Sequence, residues 1–459
     1  MRLRTNSHCT RIGNVDIHQL FQVLELDAGY AVDTDQHQYQ HLHINLPNGT
    51  GNRGSVSFSP PSLHAIESQL AIIVPCMNEE QHIIEGVLRG IPHECLIIFV
   101  SNSALPKFED ECGLLEQLCD DTQRQGIAMH QQNQELARAF CAAGMPEVVN
   151  QTGTSQRIRN GKGEAMMIGV LIAKLAGKQY TGFVDADNFV PESVHEYCKV
   201  FAAGLQLSLH LSGQVVSGKV SSSPNCTLAI PEAHAMVRIK WNSKPKVVDN
   251  QIVFPKTGRS SRVVNEWMNR LLGEIDDGSE IGQDIIQTAN AGEHAMDVDL
   301  ALKLRFATGY AVEPFQYIDI LESFGRVPLC DAGRIQADNH EATEHCSSDE
   351  PKVRILQIQT CNPHFHDTGK GNEHIERMCA QGLGTIYHSG MTSRMLKDEL
   401  RVYLGENLPT AVGDDCMPRQ LRVYPSMRAI DLDVFRCGMN TQAKTFNCSL
   451  QQQDGVVVV

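Results

Sequence analysis

The chain alternates short apolar runs with polar loops and helical stretches, and this alternation limits its fold more than any other feature. The runs "LAIIVP" (70–75), "CLIIFV" (95–100) and "YTGFV" (180–184) each end abruptly in polar residues. Continuous apolar runs of this length are typical of strands that are buried on both faces, as in parallel sheets. The alternation with helices therefore predicts an α/β fold with a mostly parallel sheet flanked by helices.

The polar loops that follow these runs should meet at one edge of the sheet. They comprise residues 75–80, 101–103 and 185–187. Ligands of open α/β sheets bind beyond the carboxyl ends of the strands. We therefore predict one functional site at this edge.

Length and periodicity divide the chain into five parts. Residues 1–65 form an N-terminal extension whose stretch "VDIHQLFQVLELD" fits added strands, and residues 66–330 form the sheet domain. A polar loop (331–352) leads to a smaller, mainly helical C-terminal part (353–445) and a tail (446–459).

Composition excludes several classes of protein. The 459 residues carry a net charge of −15, which argues against broad binding to nucleic acid or anionic membranes. No apolar run approaches the roughly 20 residues that span a bilayer, and "MRLRTNSHCTRIG" lacks the apolar core of a secretory signal. The cysteines show no CxxC spacing, which indicates reduced thiols. We expect a cytoplasmic protein.

The stretch "FVDADN" places two carboxylates at the end of a buried run. Asp185 and Asp187 point to the same side of an extended chain and repel each other. A bound divalent cation would offset that repulsion. The alternative is an acidic turn that caps the helix near Pro191, assisted by Asn188.

Two further loops fit a nucleotide. In "VPCMNEE", Glu79 could accept hydrogen bonds from base N–H groups or sugar hydroxyls. The alternative is that this stretch only begins a helix, with Asn78 as its N-cap. "RIRNGKGEA" combines glycines that let the backbone approach a ligand with Arg159 and Lys162, which suit a phosphate. A flexible basic loop without a ligand is the alternative for the second stretch.

The stretch "CNPHFHDTGKGNEH" (361–374) supplies candidate metal ligands. His364 and His366 have extended spacing, and either could share a metal with Asp187. A mixed carboxylate and imidazole site suits Mn²⁺, Mg²⁺ or Co²⁺ bridging a diphosphate. Surface histidines without a ligand are the alternative.

Two stretches could bind a small phosphorylated acid. "RIKWNSKPKV" carries four cations within nine residues of an acidic protein, and a solvated basic face is the alternative. "ANAGEHAM" (289–296) is predicted as a glycine turn that enters a helix, with Glu293 and His294 in its first turn. Free amides there could bind an anion.

A nucleotide loop, a phosphate loop, a DxD after a strand and a downstream histidine fit the chemistry of GT-A glycosyltransferases. The stretches "VPCMNEE", "RNGKGEAM", "GFVDADNFVP", "RIKWNSKPKV", "NAGEHAM" and "CNPHFHDTGKGNEH" resemble the mannosyl-3-phosphoglycerate synthase family over most of residues 66–405. The resemblance implies a GT-A fold and metal-dependent, retaining transfer of mannose from GDP-mannose to 3-phosphoglycerate. Two stretches, about 208–233 and 331–351, look inserted relative to the family.

The resemblance also implies roles for individual residues. Pro75, Asn78 and Glu79 would face the guanosine, Lys162 the diphosphate and Asp185 the ribose or mannose. Asp187 would bind the divalent metal (Mg²⁺, Mn²⁺ or Co²⁺), and His366 or His364 would complete the metal site. We favour His366, because it lies next to a glycine-containing loop (369–371) that could close over the donor. The acceptor is assigned to a larger group: Arg159, Arg238, Lys240, Asn290 and Gly292.

Two other functions are compatible with these stretches. A sugar-nucleotide pyrophosphorylase would carry a Gly/Arg/Lys loop directly after the first strand, where this chain has "PCMNEE". A non-catalytic protein could bind the nucleotide sugar and metal without turnover, because a scaffold alone does not fix function. For the assembly of the protein, we predict a homodimer.

Overall fold

In the computed structural model of this chain, the described residues are 1–6, 8–27, 42–45, 53–152, 155–212, 233–248, 251–275, 284–327, 351–365, 372–409, 418, 421–439 and 444–446. The strands are β1 (Arg2–Asn6), β2 (Cys9–Ile12), β3 (Val15–Glu25), β4 (Leu42–Asn45), β5 (Arg53–Phe58), β6 (Leu70–Cys76), β7 (Leu96–Ser101), β8 (Gly126–His130), β9 (Val149–Thr152), β10 (Ser155–Ile158), β11 (Tyr180–Phe183), β12 (Ala233–Lys240), β13 (Lys246–Val248), β14 (Gln251–Val253), β15 (His294–Asp297), β16 (Phe306–Ala307), β17 (Lys352–Gln359), β18 (Val423–Tyr424) and β19 (Lys444–Phe446). The α-helices are α1 (Pro60–Glu67), α2 (Gln81–Gly90), α3 (Leu105–Thr122), α4 (Gln134–Ala142), α5 (Lys162–Leu175), α6 (Pro191–Leu211), α7 (Arg259–Ile275), α8 (Val298–Lys303), α9 (Val312–Phe324), α10 (Asn372–His388), α11 (Arg394–Asn407) and α12 (Leu432–Met439).

One large sheet organises the molecule. Strands β8, β7, β6 and β11 lie side by side and parallel. Strands β12, β17 and β3 continue the sheet in the same direction. Strand β15 lies between β11 and β12 and runs antiparallel to both. The predicted α/β class is confirmed, with a mostly parallel centre flanked by helices.

Helices cover both faces of this sheet. Successive side chains of a strand point to opposite faces, so Ile73 and Ile98 join the core beneath α5. Ile72 and Phe99 join the other core, beneath α2, α3 and α6. The apolar runs of the sequence are continuous because both faces of each strand are buried.

The N-terminal strands and β17 belong to the same sheet as the central strands. β3 pairs with β17, and β1, β5 and β4 follow at the sheet edge. The sheet therefore continues across the predicted boundaries at 65/66 and 352/353. The domain division itself stays a prediction.

The helix predicted to begin at Glu293 and His294, directly after the glycine turn of "ANAGEHAM", is wrong at its start. Residues 294–297 form β15, and only residues 298–303 are helical. Strand β15 pairs with a neighbour on each side, and its alternating pattern is too short to distinguish strand from helix by period. Asp297 ends the strand and caps α8 by accepting from the Leu300 N–H at 2.8 Å.

The two stretches that look inserted lie largely outside the described residues, at 213–232 and 328–350. Within the described part of the chain, every helix is too short or too polar to cross a bilayer.

Candidate active site

A cavity of about 950 Å³ lies beyond the carboxyl ends of β6 and β11. The predicted residues that line it are Pro75, Glu79, Lys162, Asp185, Asp187, Asn290, Gly292 and His364. These residues come from five separate stretches of the chain, and the sheet brings them together. The expected single edge for Glu79 and Asp187 is confirmed.

Lys162 is held between two carboxylates at the first turn of α5. Its Nζ lies 2.5 Å from Oδ1 of Asp185 and 2.6 Å from Oε1 of Glu313. Burial alone would lower the pKa of Lys162, but Asp185 and Glu313 outweigh it and the net shift is upward. The ammonium therefore stays charged, and its position is fixed in the cavity wall.

Gly292 is required by the packing of Asp185. A Cβ at this position would lie 2.5 Å from Oδ2 of Asp185 and 3.1 Å from Nζ of Lys162. A side chain here would force the carboxylate and the ammonium to move. The glycine of "NAGEHAM" thus makes room for the ion pair, which the sequence alone does not reveal.

Glu293 is a buried acid next to this ion pair. Its Oε1 accepts from Asn188 Nδ2 at 2.8 Å and its Oε2 accepts from Trp241 Nε1 at 3.0 Å. Burial and then the charge of Asp185 raise the pKa of Glu293 to about 7. The residue joins the DAD turn to the end of β12.

An aromatic stack forms another wall of the cavity. The rings of Trp241 and His364 are stacked with centroids 3.8 Å apart, and Nζ of Lys244 lies 4.9 Å from the Trp241 centroid. Tyr197 bonds to Nδ1 of His364 at 2.9 Å. Burial, followed by Lys244, lowers the pKa of His364 well below its ordinary value. The imidazole is therefore neutral, as a metal ligand must be.

The loop after β6 turns sharply at Asn78. This residue has φ 61°, a left-handed conformation that asparagine tolerates better than most residues. Pro75 and Glu79 line the cavity on either side of the turn, whereas Asn78 does not. The structure therefore assigns Asn78 to the turn and does not bring its side chain to the cavity wall.

Three residues predicted for the acceptor do not line the cavity. Arg238 is fully buried, and its guanidinium donates to the carbonyls of Thr288, Ala289, Ala291 and Glu313. Lys240 donates to Gln287 Oε1 at 2.5 Å, and Arg159 Nε donates to the Glu147 carbonyl at 3.1 Å. In this structure each of the three cations is directed to protein oxygens, so their predicted contacts with the acceptor stay a prediction.

The predicted anion site at the turn 290–292 also changes. Asn290 and Gly292 line the cavity, but the turn leads into β15 and not into a helix. The free N–H groups of a helix start are therefore absent from this described turn. Arg238 binds the carbonyls of the turn from below and fixes its shape.

Other cations take the place of those three in the cavity. Lys244, Lys246, Arg259 and Arg377 line it, and the last two come from α7 and α10. Lys244 and Lys246 belong to the basic stretch "RIKWNSKPKV", for which the sequence predicts binding of a phosphorylated acid. Arg259 and Arg377 carried no signal, because isolated arginines on helices are common on any surface. Tyr310, Glu313 and Gln381 are among the other wall residues that no sequence motif indicated.

The residues that could hold a metal are Asp187 and His364, which line the same cavity. The charge of Asp187 acts on the His364 imidazole and raises its pKa against the effect of burial. His366 lies outside the described residues. Within the described ranges, no three His, Cys, Asp or Glu side chains form a metal-binding group. One carboxylate and one imidazole fit a cation whose other ligands come from a substrate and water.

Comparison with known proteins identifies the family. The mannosyl-3-phosphoglycerate synthase family matches residues 5–439. The chain is 36% identical to the mannosyl-3-phosphoglycerate synthase of Pyrococcus furiosus over 424 residues, which cover 92% of each chain. It is 31% identical to that of Aeropyrum pernix over 332 residues, covering 72% of this chain and 75% of the relative. The chain belongs to the mannosyl-3-phosphoglycerate synthase family.

Among solved structures, the chain is similar to glucosyl-3-phosphoglycerate synthase from Mycobacterium tuberculosis in complex with Mn²⁺, UDP-glucose and phosphoglyceric acid. The identity is 16%, the TM-score is 0.43, and the match covers 81% of this chain and 95% of the other. A likeness of this size does not extend the ligands of that structure to this chain. The chain resembles the mannosyl-3-phosphoglycerate synthases along nearly its whole length.

Proposed function

We propose that the protein transfers mannose from GDP-mannose to 3-phosphoglycerate with retention of configuration. Membership of the mannosyl-3-phosphoglycerate synthase family supports this activity. The observation that carries it is that Glu79, Lys162 and Asp187 line one cavity although long stretches of chain separate them. A base-facing carboxylate, a fixed cation and a metal-binding carboxylate are the groups that a nucleoside diphosphate sugar requires.

The donor would lie along the edge formed by β6 and β11. Glu79 and Pro75 would contact the guanosine, Lys162 the diphosphate and Asp185 the ribose or mannose. Asp187 with His366 or His364 would hold a divalent cation, which when bound neutralises charge on the leaving diphosphate. The ion pairs of Lys162 with Asp185 and Glu313 support this arrangement, because they hold the ammonium in place before the substrate binds.

The acceptor would lie against the cations opposite the donor. We assign its phosphate and carboxylate to Lys244, Arg259 and Arg377, in place of Arg159, Arg238 and Lys240. Arginine is well suited to this task because its planar fork binds both oxygens of a carboxylate or phosphate. Asn290 and Gly292 stay in the proposal as wall residues next to the sugar.

The chemistry needs one bond exchange at the anomeric carbon. The bond from this carbon to the diphosphate oxygen breaks, and a bond forms to the free C2 hydroxyl oxygen of 3-phosphoglycerate on the same face. The hydroxyl proton passes to the leaving phosphate, so the products are mannosyl-3-phosphoglycerate and GDP. The residues of the cavity bind and orient the two substrates and exclude water. No side chain is assigned as a nucleophile.

Product analysis tests this function. Purified protein with GDP-mannose, 3-phosphoglycerate and Mn²⁺ or Mg²⁺ should release GDP and form a phosphorylated mannosyl glycerate with the donor's anomeric configuration by NMR. Reactions without acceptor and with UDP-glucose are the controls. Formation of GDP-mannose from GTP and mannose 1-phosphate would instead support a pyrophosphorylase, and tight GDP-mannose binding without turnover would support a binding protein. Sedimentation of the same sample tests the predicted homodimer.

A further inference from the structure

A buried glutamate lies behind the loop that follows β6, outside the residues assigned above. Glu111 of α3 is 3% exposed. Its carboxylate accepts from Ser101 Oγ at 2.5 Å and from Ser103 Oγ at 2.7 Å. Cys76 Sγ, at the end of β6, lies 3.7 Å from the same carboxylate. One carboxylate thus binds side chains at the ends of two neighbouring strands.

The hydrogen bonds around Glu111 have only one consistent direction. A carboxylate can only accept hydrogen bonds, so both serine hydroxyls donate their hydrogens to it. Ser101 Oγ is then left to accept from the Ser103 N–H at 3.1 Å, and Ser103 Oγ accepts from the Asn78 N–H at 2.9 Å. Glu111 therefore orients the lone pairs of both hydroxyls toward backbone N–H groups.

The last bond of this chain holds the strained point of the cavity loop. Asn78 has φ 61°, a conformation that costs energy for a residue with a side chain and persists only where its surroundings enforce it. The Ser103 hydroxyl binds the N–H of this residue. The backbone also ties the two loops together, because Asn102 N–H donates to the Cys76 carbonyl at 2.8 Å. Pro75 and Glu79 flank this region and line the cavity.

We propose that Glu111 is a positioning residue that acts through Ser103 and the Asn78 N–H to hold Glu79 in place for the nucleoside of the donor. This role rests on the proposed function, in which Glu79 contacts the nucleoside. Glu111 does not line the cavity, so its effect reaches the ligand through the loop and not by contact. His130 Nε2, 2.8 Å from the Ser103 carbonyl, supports the same loop from β8.

Two substitutions separate this role from a general loss of packing. Ser103→Ala removes the acceptor for the Asn78 N–H and leaves the carboxylate. Glu111→Gln keeps the shape of the side chain but replaces one carboxylate oxygen with an amide N–H donor. One serine hydroxyl must then accept instead of donate, and a buried hydrogen is left without an acceptor. Glu116→Gln, an exposed glutamate of the same helix, is the matched control.

The readout is binding of GDP, UDP and ADP by calorimetry, beside steady-state kinetics of the full-length protein. Both variants should bind GDP about fivefold to tenfold more weakly than wild type, the effect of losing about one hydrogen bond. KM for the nucleotide sugar should rise, while KM for 3-phosphoglycerate stays within about twofold. The double variant should bind GDP no more weakly than the single variant that binds it least well, because both substitutions break the same chain of hydrogen bonds.

Thermal unfolding shows whether each variant is folded, and Ser103→Ala carries the test if Glu111→Gln is not. If wild type binds GDP and folded Ser103→Ala binds it equally well, the positioning role is wrong and the proposed function stands. Additive losses in the double variant would also overturn the role, because the two residues would then act separately. If wild type binds none of the three diphosphates, the proposed function fails and the role fails with it.

Discussion

The indole of Trp241 lies flat against the imidazole of His364, with ring centroids 3.8 Å apart and ring planes 4° apart. The indole N–H is bound by Glu293 at 3.0 Å, and Nδ1 of the imidazole is bound by Tyr197 at 2.9 Å. This stack joins the end of β12 to the histidine segment that follows β17. It therefore controls the position of one candidate metal ligand.

Changes at Trp241 should separate stacking from hydrogen bonding. Trp241→Ala should reduce the free energy of unfolding by about 3 kcal/mol, because it removes a large packed ring. Trp241→Phe keeps a ring against His364 but loses the bond to Glu293 and part of the indole surface, so a smaller loss of about 1–2 kcal/mol is expected. Urea unfolding of both variants measures the difference. Equal losses would mean that the stack contributes nothing beyond the hydrogen bond.

Loss of the Lys162 ammonium should destabilise the protein as well as stop transfer. Lys162→Met leaves Asp185 and the buried Glu313 without their counter-charge. Breaking such a pair costs on the order of 3 kcal/mol when both partners are buried, and less to the extent that water reaches Asp185. Urea unfolding measures it. Lys162→Met with Glu313→Gln should recover part of the stability and none of the activity; no recovery would show that the charges are not coupled.

Asp187→Asn should abolish metal-dependent transfer while the protein keeps its fold. The residue lines the cavity after β11, where removing its charge weakens metal binding without opening the core. A GDP-release assay across a metal titration, with circular dichroism for the fold, measures both effects. Glu192→Gln, an exposed residue at the start of α6, is the control. Normal turnover of Asp187→Asn at limiting metal would reduce the DAD turn to a helix cap.

The two histidines should respond differently to alanine substitution. His366→Ala should lower metal affinity and rate together, with partial recovery at high metal concentration, since it is the favoured ligand. His364→Ala should lower stability first, because its ring is 3% exposed and packs between Trp241 and Tyr197. Metal titration by calorimetry and thermal unfolding distinguish the two effects. Loss of metal affinity in His364→Ala alone would reverse the assignment, and loss in neither would require another carboxylate as the ligand.

The protein should become less stable as the pH rises through the titration of Glu293. Its pKa is about 7 in the folded protein against an ordinary value of 4.5, so the folded state holds a proton that the unfolded chain releases. The stabilising contribution is complete below pH 4.5 and is lost as the pH rises through about 7. Urea unfolding at pH 5 and pH 8, with chelator present, should show a smaller fall for Glu293→Gln than for wild type. Equal falls in the two proteins would exclude Glu293 as the titrating group.

The sequence by itself determined where the strands at 70–75, 95–100 and 180–184 lie along the chain and which polar loops follow them. Runs such as 70–75 and 180–184 are apolar throughout because their strands are buried on both faces. Parallel strands place their carboxyl ends together, so Glu79 and Asp187 could be assigned to one edge without coordinates, whereas Lys162 was assigned to the donor by its basic glycine loop and the family resemblance. These inferences depend on local patterns and on a general rule of sheet geometry.

Only the tertiary structure decided which charged side chains reach the cavity. Lys162 and Glu313 are 151 positions apart and meet at 2.6 Å, and no local pattern relates them. Arg238 looked like a ligand for an anion, but β12 lies inside the sheet between β15 and β17, so its guanidinium binds backbone carbonyls. Residues 294–297 form a strand because two neighbours supply hydrogen bonds. Long-range pairing fixes burial and charge partners, and a linear sequence does not display it.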